Sequence, residues 1–165
     1  MLGMLEAPDS GRVEIDSGGM PGPVVREQTF GYLFSQTGLL PGFSVCENVA
    51  VPLFRIRGVP SGHAGEITRH AMDLCGCGEL ACTPAGELDP PSQARVALAR
   101  ALVHDPAIMI VISPRAEAEI LPLAERLARD RNLCILWAGD TENLVRHAHR
   151  LITMQEGEIS SDTGP

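Results

Sequence analysis

Residues 88–115 read LDPPSQARVALARALVHDPAIMIVISPR, and this stretch limits the fold more than any other. Pro90 and Pro91 lack amide hydrogens and suit the first turn of a helix. Residues 92–103 are a run of strong helix formers, and Asp105 with Pro106 breaks it. The spacing predicts a helix of about three turns. Ile108–Ile112 is then an unbroken apolar run whose length and flanks suit a parallel strand buried on both faces.

The same residues closely resemble the signature helix and Walker B region of ABC-transporter ATPase subunits. The family pattern is LSGGxxxRVALARAL, a short loop containing Asp-Pro, a brief apolar run, and Asp-Glu-Pro. Arg95, Val96, Ala97, Leu98, Ala99, Arg100, Ala101 and Pro106 stand where the family has them, and Pro114 stands at the Pro of Asp-Glu-Pro. The chemical groups differ. Asp89, Pro90 and Pro91 replace the signature Ser-Gly-Gly, and Ile112 and Ser113 replace Asp-Glu. In the family, the signature groups offer a hydroxyl and backbone amides to a γ-phosphate. Prolines donate no amide, and Asp89 would repel that phosphate. The Walker B Asp holds Mg²⁺ and the Glu positions the attacking water, which neither Ile112 nor Ser113 can do. Asp89 and Ser92 are left as the nucleotide-contact candidates of this segment.

Composition narrows the classes. With 165 residues, 44% apolar content and a mean hydropathy of +0.07, one domain with a sizeable core is expected over residues 1–165. A net charge of −8 without a basic cluster argues against a nucleic-acid partner. All 13 basic residues are arginine. Without lysine the chain cannot contain the phosphate loop GxxxxGK followed by Ser or Thr. Neither a signal peptide nor a transmembrane run is present, so the expected location is the cytoplasm, with membrane contact only through a partner. Five cysteines do not suggest a disulfide framework. Cys75, Cys77 and Cys82 resemble a metal site only loosely, and free thiols are the expectation, with no metal.

Taken in order, residues 1–7 read as a short apolar helical piece, residues 8–11 as a turn and residues 12–16 as a strand. MLGMLEAPDSGRVEID resembles the segment after the phosphate-loop helix in ABC ATPases, so the chain looks like a cassette entered midway. The part lying upstream in the family carries the first strands, the base-stacking aromatic and the phosphate loop. Residues 17–25, rich in Gly and Pro, are expected to be a mobile loop, and Phe30–Phe34 a strand. The continuation resembles the family's Q-loop through Gly31, Phe34, Leu39, Val45, Glu47, Asn48 and Val49. Ser35 falls at the Gln position and Gln36 one residue late, which would turn its amide away from the nucleotide side. Gln36 stays a candidate beside the reading that it is a loop residue.

Residues 46–104 correspond to a helical subdomain inserted in the α/β core, with a helix over residues 61–75. Mla-type phospholipid-trafficking ATPase subunits resemble this part most. In them a groove between Q-loop and helical subdomain receives a permease coupling helix, so Leu39, Leu40, Phe43 and Leu53 are the expected partner groove, or else close the core. A further helix is expected from about Leu121 to Asp130, with Glu117 and Glu119 ahead of it as dipole-favoured carboxylates. Residues 134–137 should be a buried strand. Gly139 stands at the family's switch His, residues 143–149 resemble the following helix with His147 and His149 on its surface, and residues 150–159 resemble the terminal hairpin.

The resemblance therefore implies an α/β fold, a P-loop NTPase-like parallel sheet with a helical subdomain but without the phosphate-loop part. It implies an ABC ATP-binding-subunit-like protein that does not hydrolyse ATP. Such a protein would act with a permease or an active ATPase subunit in transport, possible cargo including lipid. Catalytic positions Ile112, Ser113 and Gly139 are substituted, and no cofactor is expected unless an upstream phosphate loop brings ATP and Mg²⁺. A stand-alone regulatory or interaction module, an ATPase with an omitted N-terminus, and a functionless gene product are the alternatives.

Overall fold

The computed structural model describes residues 5–13, 15, 22–114, 116–139 and 144–164. Three five-residue strands, β1 (Phe30–Phe34), β2 (Ile108–Ile112) and β3 (Cys134–Ala138), form a parallel sheet in the order β1-β2-β3. The register aligns Gly31, Met109 and Ile135 in one row and Leu33, Val111 and Trp137 in another. Side chains alternate across a strand, so these rows share one face. On that face lie α4 (Pro90–Leu102) and α5 (Glu117–Arg131), each crossing between consecutive strands. The chain has the α/β fold with a parallel sheet that its sequence implied.

Between β1 and β2 the chain builds a helical layer. Ser44 opens α2 (Val45–Pro52) with a capping box: its hydroxyl accepts from the Glu47 amide at 3.2 Å, and the Glu47 carboxylate accepts from the Ser44 amide at 2.8 Å. Pro52 lacks the amide to continue the ladder, and Leu53–Arg57 winds on as a wider π turn. Gly58 ends that turn at φ +58°. A helix α3 (Ser61–Leu74) follows, then two short 3-10 turns, Gly78–Leu80 and Ala85–Glu87. Asp89 caps α4 by accepting from the Ser92 amide at 2.9 Å, with Pro90 and Pro91 in the first turn as their chemistry dictates. Val45, Val49 and Leu53, one helical turn apart, meet Met72, Val96 and Leu98 in the core.

The far end of α4 is locked onto β1. His104 is buried, its Nε2–H donating to the Phe30 carbonyl at 3.0 Å, while its Nδ1 has no partner among the described residues. Arg57 donates to the His104 carbonyl from Nε and Nη2 at 3.1 and 2.7 Å, satisfying the open end of the helix. Burial pushes the His104 pKa down, with the Arg57 charge acting the same way and Asp105 and the Phe30 hydrogen bond opposing it. A folded-state pKa below the unfolded one means the unfolded chain binds the proton more readily. The contribution is therefore complete above about pH 6.5 and lost as pH falls through the folded value. The urea midpoint is expected to drop between pH 7.5 and pH 5, with the drop smaller in His104→Gln.

Several elements differ from the sequence reading. Residues 22–25, expected to be mobile, begin α1 (Gly22–Thr29): a proline suits the first turn, and Val25 is buried. The rest of that loop, residues 17–21, lies outside the described residues, as do residues 1–4 of the first helical piece, and residues 5–7 are not helical. Residues 12, 13 and 15 form no strand, and residues 14 and 16 are outside the description. α5 starts four residues before Leu121, because Glu117 and Glu119 belong in its first turn, where carboxylates favour the helix dipole. The helix expected over residues 143–149 is a single turn from Leu144 onward, with residue 143 outside the description. β4 (Ile152–Gln155) and β5 (Glu158–Asp162) form the terminal hairpin, clasped by Arg150 on Asp162 at 2.6 Å. Neither β2 nor β3 is buried on both faces: Ile112 and Leu136 each remain 39% exposed.

Cys75 and Cys77 lie in the core and Cys82 is exposed, so the three do not converge. Burial pushes the Cys77 thiol up to about 11, and raises that of Cys75 as well. Native labelling with a maleimide, read by mass spectrometry, should modify Cys82 and Cys134 first and half-buried Cys46 more slowly. Cys75 and Cys77 should react only after unfolding.

Candidate functional site

Two regions carry the candidate residues. The first is the carboxyl end of the sheet, the edge at which open α/β sheets place their ligands. Ile112 ends β2, Ser113 follows at φ +38°, and its amide donates to the Ala138 carbonyl at 2.7 Å. Gly139 follows β3, and the position of a Cβ there would lie 3.8 Å from the Ser113 Cα and 3.4 Å from the Trp137 Nε1. Ile112, Ser113 and Gly139 are thus neighbours. Gln36, two residues past β1, is exposed. The turn after it is held by Arg100 of α4, whose guanidinium donates to the Gly38 carbonyl at 2.8 Å and to the Thr37 carbonyl. Asp89 and Ser92 bond to each other at the start of α4, where that bond holds the Asp89 carboxyl below the usual range. The start of α4 thus uses its polar groups locally, as a helix cap.

Among the described residues at this end, the Ile112 side chain has no donor atom, Gly139 has no side chain, and Asp89 is engaged by the Ser92 amide. Among the described residues no three His, Cys, Asp or Glu side chains are placed to hold a metal ion. The buried Trp137 Nε1–H has no partner among the described residues.

The second region is an open groove of about 420 Å³ between α2 and α3. Phe43, Val51 and Phe54 form its rim, exposed by 49%, 39% and 48%. Cys46 and Ala50 continue the α2 wall, and Ala64 and Gly65 supply small residues on α3. Buried Thr68 brings to this lining an Oγ1 with no partner among the described residues. Of the expected groove residues, Phe43 lines it. Leu53 does not, because Val45, Val49 and Leu53 recur at intervals of one turn on the face that enters the core, at 1% exposure for Leu53. Leu39 packs against the core, and Leu40 is exposed but lies outside the lining. The spacing that could have found the groove is the next stripe round: Cys46, Ala50 and Phe54, flanked by Glu47 and Val51.

The groove is positioned by Asn48, which is 1% exposed. Its side chain accepts from the Leu40 amide at 2.7 Å and donates to the carbonyls of Leu40, Phe43 and Ser44 at 3.0, 3.2 and 3.0 Å. One amide therefore fixes the whole turn that presents Phe43.

No family model matches the chain. The lipoprotein-releasing system ATP-binding protein LolD of Acinetobacter baylyi is 30% identical over 169 residues, covering 95% of this chain and 74% of the relative. The chain belongs to the ABC-transporter ATP-binding family. The macrolide export ATP-binding/permease protein MacB 1/2 of Paracoccus denitrificans is 29% identical over 174 residues, covering 98% of this chain and 26% of that much longer protein. Among solved structures, the dimeric structure of MJ0796, a bacterial ABC transporter cassette, superposes with a TM-score of 0.84 at 25% identity, over 98% of this chain and 76% of the other. The ABC membership accounts for the helical layer between β1 and β2 and for the order of the remaining elements. Among the described residues, no helix is long and apolar enough to cross a membrane.

Proposed function

We propose that this ABC-family chain is a non-hydrolysing, cytoplasmic subunit of a transport assembly, docking through the α2–α3 groove onto a cytoplasmic segment of a permease. The observation that carries the reading is the groove itself: two exposed phenylalanines and a valine around small residues, with an unpartnered buried hydroxyl. Such a lining suits an amphipathic helix that inserts apolar side chains and offers one polar group to Thr68. A large apolar patch left in water is a cost that a bound partner removes. LolD and MacB are named as parts of a lipoprotein-releasing and a macrolide-exporting system, which supports a permease as the occupant. Lipid cargo, and a kinship with Mla-type subunits, are the finer parts of the proposal.

Lack of hydrolysis is supported by the residues at the sheet's carboxyl end. Phosphoryl transfer needs a metal-binding carboxylate, a water-positioning group and phosphate donors acting together. Ile112, Ser113 and Gly139 supply no metal-binding carboxylate, the signature position holds Asp89 and two prolines, and residues 1–165 contain no lysine. Among the described residues those at this end do not fit Mg²⁺-ATP, so nucleotide chemistry would belong to a partner ATPase or to an upstream phosphate loop. The whole is read as one cassette-like domain with residues 46–104 as its helical subdomain.

A photo-crosslinking amino acid at Val51, introduced in the source cells, is expected to form an adduct with a permease loop, identified by mass spectrometry. Phe54→Asp should reduce that adduct at least tenfold while leaving the urea midpoint nearly unchanged. Adducts confined to soluble proteins would instead identify a regulatory interaction module. Mg²⁺-dependent ATP turnover by the purified chain, at a rate comparable to the Acinetobacter baylyi LolD, would refute the non-hydrolysing role.

A further inference from the structure

Two free thiols face each other across the start of α2. The first amides of a helix have no partners inside it, and here a neighbouring segment supplies them. The Val45 amide donates to the Thr83 carbonyl at 2.9 Å and the Cys46 amide to the Ala81 carbonyl at 3.0 Å. Cys82 is the residue between those two acceptors. The same segment forms an antiparallel bridge between Ser44 and Pro84, closed on its other side by the Ala85 amide on the Phe43 carbonyl at 2.9 Å. Counting two residues on from Ser44 and two back from Pro84 brings Cys46 opposite Cys82.

The covalent chain bounds their separation. Through the Cys46 amide, its 3.0 Å hydrogen bond and the Ala81 peptide group, the two Cα atoms lie within about 7 Å of each other. A disulfide spans about 4.4–6.8 Å between Cα atoms. The turn that carries Cys82 is fixed by the Thr83 amide on the Leu80 carbonyl at 2.9 Å, so the approach is built into the backbone. Cys82 is exposed, and Cys46 is half-buried in the wall of the α2–α3 groove. The other cysteines are placed differently: Cys75 and Cys77 lie in the core, the Cys77 thiol donating to the Met72 carbonyl at 3.5 Å, and Cys134 begins β3.

We propose that Cys46 and Cys82 form a reversible disulfide that sets how far α2 and α3 can part, and with that the groove. The oxidant is a low-molecular-weight disulfide of the glutathione class. The exposed Cys82 thiolate attacks one of its sulfurs, forming a mixed disulfide and releasing one thiolate. The Cys46 thiolate then attacks the Cys82 sulfur and expels the second. The two protein thiol protons end on the two departing thiolates, and the oxidant has gained two electrons. Excess small thiol reverses both steps, and an exposed bridge is the kind it opens readily. The link closes residues 46–82 into one loop holding both groove walls. At one end the walls are joined through the π turn, and at the other by the hydrogen bonds to Ala81 and Thr83. The disulfide makes that second junction covalent, so parting the walls requires more of the layer to unfold. Control of docking by this link would rest on the permease reading, but the pairing and its effect on the groove do not, and Val51 crosslinking reads docking separately.

The test incubates the folded chain with oxidised glutathione and reads intact mass, peptide map and hydrogen exchange. One internal link, Cys46 to Cys82, is expected with the loss of two hydrogens, beside a single glutathione adduct on Cys134. Maleimide added to the native linked chain should miss Cys46 and Cys82, and reduction should restore both. Amides of α2 and α3 should exchange about tenfold more slowly in the linked form. Cys46→Ser and Cys82→Ser should each keep the urea midpoint of the reduced chain and lose the link, Cys82 retaining a glutathione in Cys46→Ser. Lasting adducts on both Cys46 and Cys82 of the unaltered chain, dimers joined through Cys82, a link that forms only in urea, or two free thiols beside a modified Cys134 would each overturn the pairing. A Cys46–Cys82 link that leaves exchange in α2 and α3 unchanged would overturn its control of the groove.

Discussion

Gly31→Ala is expected to lower stability by about 3 kcal/mol or more, the upper end of what overpacking costs. A Cβ at this position would stand 2.3 Å from the Ala101 carbonyl oxygen and 3.1 Å from the Pro106 Cγ. The first neighbour is backbone, near the end of a helix whose last turn is already fixed by Arg57 on the His104 carbonyl and by His104 on Phe30. It cannot swing aside as a side chain would. Relief requires α4 to lift from β1, which would loosen the core that both share and pull the His104 ring from the Phe30 carbonyl. Urea unfolding measures the loss, and Gly42→Ala is the control. Gly42 has open space around it, and its substitution should change stability by no more than about 0.5 kcal/mol. Equal effects at the two positions would show that the close approach of α4 to β1 does not limit stability.

Gly31 also illustrates how much the sequence could reveal. Its place in the strand and its match to the family were legible, because FGYLF is short, apolar and bounded by turn residues. The reason for a glycine was not, since the obstructing carbonyl lies seventy residues later in the chain and sequence periodicity carries no information on such a contact. The helix from Pro90 and the strand Ile108–Ile112 were readable for the same local reasons, prolines at a first turn and an unbroken apolar run, and the terminal hairpin through the resemblance, with Glu156 and Gly157 both at positive φ in its turn. α1 is obscured because Gly and Pro dominate residues 17–25, although proline is as much at home in a first helical turn as in a loop.

The groove was half legible. The resemblance put a groove between the Q-loop and the helical subdomain, whereas the one seen lies between α2 and α3 and shares Phe43 with it; the choice between Leu53 and Phe54 turns on helical phase, and one residue rotates a side chain by about 100°. Leu53 belongs with Val45 and Val49, and Phe54 with Cys46 and Ala50. The neighbourhood of Ile112, Ser113 and Gly139 was implied by family order, and the sheet register supplies it through Ile112 and Ala138 as direct partners.

Asn48→Leu is expected to cost about 2–4 kcal/mol, although leucine is apolar and nearly the same size. Asn48 uses both ends of its amide: the oxygen takes the Leu40 N–H, and the nitrogen serves three carbonyls of residues 40–44. Each net hydrogen bond contributes about 1 kcal/mol, and losing the partner of a buried group costs its desolvation as well. The turn contains Pro41 and Gly42 and has few other backbone bonds to hold it, chiefly Phe43 N–H to Leu40 and those to residues 85 and 86. Asn48→Asp distinguishes hydrogen bonding from packing. It keeps the acceptor for Leu40 N–H but removes every donor and sets a carboxylate against three carbonyl oxygens, so it should be no more stable than Asn48→Leu. Both variants should release Phe43 from the groove rim and reduce crosslinking from Val51 even at temperatures where the fold persists. A fully stable Asn48→Leu that crosslinks normally would mean that the turn is held by its own backbone, and that the groove forms without this amide.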